Sequence, residues 1–222
     1  MPGHGAGGAH HVREIQEVSG KVLGRRFCVL GLAATLMVPL AVSGAGNAEA
    51  ASAKAATRPH PAVRYLQKTA VELLRAQRLG TIASFDRVLA RHADVPFIAM
   101  YSLGRYKPSL PRSKQALYYR GVRRFMARYF ADQSRKYRIV KTAIDERPMK
   151  DGDDWLVRSK VWLASGSSYN VVWRIAKRRG RWRITDVKVL GFSLAYLQRG
   201  IFHRYLQQKN GDVNALVAAL NR

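Results

Sequence analysis

Tyr169-Asn170-Val171-Val172-Trp173-Arg174-Ile175 and Trp182-Arg183-Ile184-Thr185-Asp186-Val187-Lys188-Val189, hinged on Arg178-Arg179-Gly180-Arg181, are rich in β-branched and aromatic residues. Their apolar side chains recur at a period near two, so they read as two strands around a tight basic turn. The same period runs through 155–164, bounded by Asp151-Gly152-Asp153-Asp154 and Ser165-Gly166-Ser167-Ser168, and through 137–144. Four strands joined by short Gly, Asp and Ser turns predict an antiparallel meander.

The faces of these strands carry an apolar surplus. Trp155, Val157, Val161 and Leu163 share one face, with Leu156, Trp162 and Ala164 on the other. Tyr169, Val171, Trp173 and Ile175 lie together, opposite Val172. Trp182 and Ile184 point one way, Val187 and Val189 the other. A sheet with one wet face alternates more cleanly. Either helices cover both faces, or the surplus lines a cavity for an apolar ligand.

Upstream of the strands the period is helical. Val63, Leu66, Ala70, Leu73 and Leu74 form the stripe of a first helix that Gly80 breaks, and Phe85, Val88 and Leu89 that of a second over 82–92. Asp94 caps a short third helix with Pro96 in its first turn and Gly104 at its stop. A long basic helix over 112–136 carries Leu117, Tyr118, Val122, Phe125, Met126, Tyr129 and Phe130 on one stripe. After Gly191 come one helix with Leu194, Tyr196, Leu197, Ile201, Phe202 and Tyr205 in one apolar run and a last one capped by Asp212. The expected class is α+β: N-terminal helices, a four-stranded meander, C-terminal helices, with helices stacked on a sheet face.

Residues 1–50 read as a signal peptide with an over-long start. Lys21, Arg25 and Arg26 precede an apolar run, and Ala48-Glu49-Ala50 is a cleavage pattern. The run is short for a membrane span, and Arg25-Arg26 is a weak twin-arginine signal. Residues 51–61 read as a flexible lead-in, leaving 62–222 as one domain. The chain has one cysteine, Cys28, within the expected leader. The remainder therefore offers neither thiol catalysis nor a Cys-based zinc site, and an exported chain without disulfides must hold itself together by packing.

Lys and Arg number 39 against 14 Asp and Glu, a net charge of +25, nearly all of it beyond residue 50. In a cytoplasmic chain this surplus points first to nucleic acid. Behind an export signal it points instead to anionic lipid surfaces or an acidic partner, and we expect no nucleic acid. His60, His92 and His203 are scattered, and no metalloprotease, nucleophile-elbow, phosphate-loop or dinucleotide motif occurs. The acidic turn at 151–154 lacks the glutamate that completes a Ca²⁺ loop. We expect no metal, no cofactor and no enzymatic activity.

Asp94, Ile98-Ala99 and Leu103-Gly104-Arg105-Tyr106 form a D-x-x-x-I-A-x-x-x-L-G-R-Y segment ahead of the long helix. Trp182-Arg183-Ile184-Thr185-Asp186-Val187 runs on into Gly191-Phe192-Ser193-Leu194. In order and spacing these segments resemble the MlaC, or toluene-tolerance, family over roughly 62–221. The resemblance implies a periplasmic phospholipid carrier that preserves outer-membrane lipid asymmetry. Its fold would be a bent sheet against helices, with acyl chains in an apolar cavity between them. Such carriers shuttle phospholipid between an outer-membrane lipoprotein complex and an inner-membrane ABC transporter with an MCE component. A related branch is associated with hopanoid.

Carried onto this chain, the resemblance makes Phe97, Met100, Tyr101, Phe125, Tyr129, Val171, Trp173, Val187, Val189, Phe192 and Leu194 candidates for the lipid-binding wall. Arg105 and Tyr106 are candidates for the headgroup mouth. Each of these also fits an ordinary core or a structural ion pair. The competing reading is a basic periplasmic binding module for an acidic partner or polymer, without a lipid cavity. A hydrolase on the same fold is the third.

Overall fold

In the computed structural model residues 58–222 are described; the expected signal segment and most of the lead-in lie outside the described residues. Helix α1 (Pro61–Leu79) starts at Pro61, its first turn capped by the His60 ring, and stops at Gly80, where φ is +61°. Thr81 caps α2 (Ile82–His92). Asp94 caps α3 (Val95–Leu103) by accepting the Phe97 N–H at 3.2 Å. A 3₁₀ segment, Gly104–Ser109, follows. The long basic stripe begins later than its sequence suggests: Arg112–Lys114 is a 3₁₀ turn, and α4 proper is Gln115–Lys136.

The sheet comprises β1 (Ile139–Ile144), β2 (Met149–Asp151), β3 (Asp154–Leu163), β4 (Ser168–Arg178), β5 (Arg181–Val189) and β6 (Phe192–Ser193). Strands β1, β3, β4 and β5 form the expected antiparallel meander. Two strands, β2 and β6, were not expected; at three and two residues they are too short to show a period. Helices α5 (Leu194–Gln208) and α6 (Val213–Leu220) close the chain, capped by Ser193 and Asp212.

The strand register corrects one reading of the faces. Val171 pairs with Val189 and Trp173 with Val187, but Ile175 pairs with Ile184 because the ladder shifts between Arg174 and Ile175. Thr185 is the extra residue of a β-bulge, fully buried. The bulge resets the alternation, so Ile184, Val187 and Val189 all face the helices together with Val171, Trp173 and Ile175. The apolar surplus is thus gathered largely onto one face. On the outward face Lys141 and Lys160 lie over the Trp162 ring, and Arg158 pairs with Asp145. Arg174, also outward, bonds Asp151 and Asp154.

Two apolar clusters result. In the smaller, Ala62, Val63 and Leu66 of α1 pack on Val157, Ile175 and Ile184. The larger belongs to the helices, with Leu103, Tyr118, Val122, Phe202 and Leu206 at its centre. The Asp94 N–H donates to the Ile184 carbonyl at 2.8 Å, tying the start of α3 to the bulged strand. At the other end of β5, Leu190 and Gly191 form a two-residue turn with φ of +52° and +84°. Such a turn favours Asn, Asp or Gly first; leucine there costs about 1 kcal/mol.

Candidate functional site

Below the bulge the helices stand away from the sheet and leave an apolar cavity in two chambers. The outer has a volume of about 260 Å³ and the inner about 90 Å³. They meet at Tyr129, Phe130, Val187, Leu194 and Leu197, which line both. Together they reach the lower end of ordinary ligand pockets, roughly 300 Å³.

Each wall follows from the elements already described. Beyond Leu66, the α1 stripe continues to Leu73 and Leu74, and these face the outer chamber instead of the sheet. Ile139, Val161, Leu163, Val171, Trp173, Val187 and Val189 supply the sheet wall. The indole N–H of Trp173 donates to Ser159 Oγ at 2.9 Å, so the ring presents no free donor. In the inner chamber Gln198 Nε2 donates to Ser102 Oγ at 2.8 Å, and Ser102 Oγ donates to the Ile98 carbonyl at 2.8 Å. Asp186, the one charged lining residue, accepts the Ala195 N–H at the start of α5. Burial, with Tyr137 adding to it, pushes the Tyr129 phenol up to about 12, so it remains neutral. Among the described residues no lysine or arginine lines either chamber. The positive charge of the described residues therefore lies outside the cavity.

Besides Tyr129, the polar members of the outer chamber are Gln77, Gln133, Ser134, Tyr137 and Tyr169. Phe192 and Tyr137 line it while 43% and 38% exposed, which marks the mouth.

Of the sequence candidates, Val171, Trp173, Val189 and Phe192 line the outer chamber, Phe125 the inner, and Tyr129, Val187 and Leu194 both. Phe97, Met100 and Tyr101 do not reach it. The backbone tie from Asp94 to Ile184 fixes the rotation of α3 so that Ile98 faces the chamber. Phe97 is exposed beneath Arg178, and Tyr101 lies beneath Arg199. Met100 packs on the helical core.

Arg105 and Tyr106 are not at the mouth either. Helix α3 carries them past the cavity to the far half of α5. There Arg105 Nη2 donates to Tyr106 Oη at 3.0 Å, and Tyr106 packs edge-on against His203 at 5.3 Å. Sequence reasoning missed Leu73, Leu74, Phe85 and Gln198 as lining residues. The α1 stripe was a usable signal for the leucines and the α2 stripe for Phe85; nothing local marks Gln198.

His203 Nε2 lies 2.9 Å from the Leu103 carbonyl. Burial first, then Arg199 and Arg105, hold this imidazole below its ordinary 6.5, against the raising effect of the carbonyl. The folded state therefore favours the neutral ring, with Nε2–H donating. Its contribution to stability is present above the ordinary value and is lost as pH falls from there toward the depressed one. Melting temperature should drop as pH is lowered below the ordinary histidine value of 6.5, and His203→Gln should flatten part of that drop in a thermal melt series.

One acid, imidazole and hydroxyl set exists among the described residues. His92 Nε2 is 3.3 Å from Glu72, and its Nδ1 is 3.2 Å from Thr69 Oγ1. Thr69 is fully buried, donates its proton to the Tyr65 carbonyl and lines neither chamber. The set latches α1 to α2. No cluster of metal-binding side chains and no helix long and apolar enough to cross a membrane occur among the described residues.

Comparison with curated proteins gives no match. Among solved structures, the chain resembles a phospholipid-binding protein from Ralstonia solanacearum, determined in complex with a phospholipid. That structure is 18% identical, with a TM-score of 0.54, covering 72% of this chain and 94% of the other. At that identity the likeness establishes the shared α+β fold. The family model described as MlaC protein matches residues 67–222, from within α1 through the last helix and so across every cavity wall. On that match, the chain belongs to the MlaC protein family.

Proposed function

We propose that this protein is a periplasmic lipid carrier that holds acyl chains in the two chambers and leaves the headgroup at the mouth. The observation that carries this reading is an apolar, cation-free cavity inside a strongly basic protein. Family membership and the phospholipid bound by the Ralstonia protein support it. At about 0.8 kcal/mol per methylene, a dozen buried methylenes supply roughly 10 kcal/mol, ample to move lipid through water. Gln77, Gln133, Ser134, Tyr137 and Tyr169 are the headgroup's hydrogen-bonding partners at the rim. Val171, Trp173, Val189 and Phe192 bound the outer chain, and Phe125 the inner chamber. No bond of the cargo changes. The family resemblance supports exchange between an outer-membrane lipoprotein complex and an inner-membrane ABC transporter with an MCE component.

Organic extraction of the purified protein followed by mass spectrometry should release stoichiometric lipid. Phospholipid is the expected class, and a polycyclic hopanoid would fit the same apolar wall. Protein that carries no lipid and takes none from vesicles would overturn the reading. It would favour a basic module for an acidic partner, for which the +25 surplus is the supporting observation.

A further inference from the structure

The turn between β5 and β6 breaks a local rule at one place on the cavity rim. Val189 and Phe192 pair across it and both line the outer chamber. Leu190, between them, adopts the left-handed region while 46% exposed. It thus combines backbone strain with an apolar side chain in water. Asn or Asp would relieve both. Phe192 is 43% exposed on the same rim, and Tyr196, two residues into α5, is 65% exposed. A strained residue that leaves nearly half of its apolar surface in water is best accounted for by a contact outside the fold.

We propose that Leu190, Phe192 and Tyr196 form an anchor that enters the interface of an anionic bilayer and sets the cavity mouth against it. This rests on the lipid-carrier reading and adds the surface from which the cargo is exchanged. Three features favour a bilayer as the occupant. The tip offers two aliphatic or aromatic side chains and a tyrosine, the residue type that settles at membrane interfaces. The net charge of +25 attracts an anionic surface, and Lys188 directly precedes Val189 at the base of the turn. The anchor also borders the chamber, so an acyl chain passes from bilayer to cavity without crossing water.

The test is co-sedimentation of the purified protein with phosphatidylglycerol or phosphatidylcholine vesicles at low salt. Wild type should bind the anionic vesicles and bind the zwitterionic ones less. Leu190→Asn combined with Tyr196→Ser should weaken binding about tenfold or more. Neither residue lines the cavity, and Asn suits the turn. Lipid content and melting temperature should therefore hold, the latter equal to or above wild type. Equal binding by wild type and double variant would overturn the anchor and leave only diffuse charge attraction. Equal binding to both vesicle types would overturn the anionic surface as occupant. A wild type that ignores vesicles would overturn the bilayer and leave a protein partner for the same tip. Wild type that is free of lipid on extraction yet binds vesicles through Leu190 would sink the carrier reading and keep the anchor.

Discussion

Val171→Arg should purify with its lipid content reduced about tenfold or more, while Val172→Arg keeps its lipid. The two positions are neighbours in β4 on opposite faces. Val171 is buried in the outer-chamber wall opposite Val189. A guanidinium there meets apolar side chains and no carboxylate. It must either displace an acyl chain or bend its stem toward the mouth across the space the chain would take. Val172 points outward between Arg158 and Lys188. A third cation in that row costs a few tenths to about 1 kcal/mol and leaves the wall untouched. Extraction with mass spectrometry reads the lipid, and circular dichroism reads the fold. If Val171→Arg unfolds, the wall belongs to the core and is no binding surface; if both variants keep lipid, the cavity is not where lipid sits.

The second large effect is expected at Gly104. Its φ of +53° with ψ of −119° ends α3 in a conformation that β-branched residues avoid. A Cβ there would fall 2.7 Å from Arg199 Nη2 and 2.7 Å from His203 Nε2. Backbone strain and the displaced side chains add up, so Gly104→Val should cost about 3 kcal/mol. For a domain of this size that lowers the melting temperature by about 10 °C. Gly200→Ala on α5 is the control: its Cβ meets nothing within 4 Å, and alanine favours a helix. A thermal melt in which Gly104→Val matches wild type would show that α3 does not need this stop.

Much of this architecture is legible in the residues because local signals and global packing agree. Asp94, Gly80 and Gly104 act as caps and stops wherever the chain is read, and the strands announce themselves by period. The bulge is different. Trp182 and Ile184 are even-numbered, Val187 and Val189 odd, and period two alone sends them to opposite faces. Only pairing with β4, which is long-range, reveals that all four serve one face. The same limit governs the site. Strand candidates such as Val171 and Trp173 reached the cavity because the sheet has just two faces to choose from. On α3 the choice is a rotation about an axis, set by the contact with Ile184, and Phe97, Met100 and Tyr101 fell on the wrong side of it. Arg105 and Tyr106 follow from that misplacement, since they continue from the end of α3.

The two apolar clusters lie on either side of the cavity, the smaller clamping α1 to the sheet and the larger joining the helices to one another. A chain of methylenes lodged between them is, thermodynamically, a missing part of the interior. With it in place, unfolding exposes more hydrocarbon, which raises both the heat capacity change and the melting temperature. Without it, sheet and helices face each other across a surface that neither wets nor packs well. Loading and rigidity thus become one variable. On the proposed carrier function, a membrane complex that recognised only the rigid form would accept loaded protein and pass over empty protein with no contact to the lipid itself.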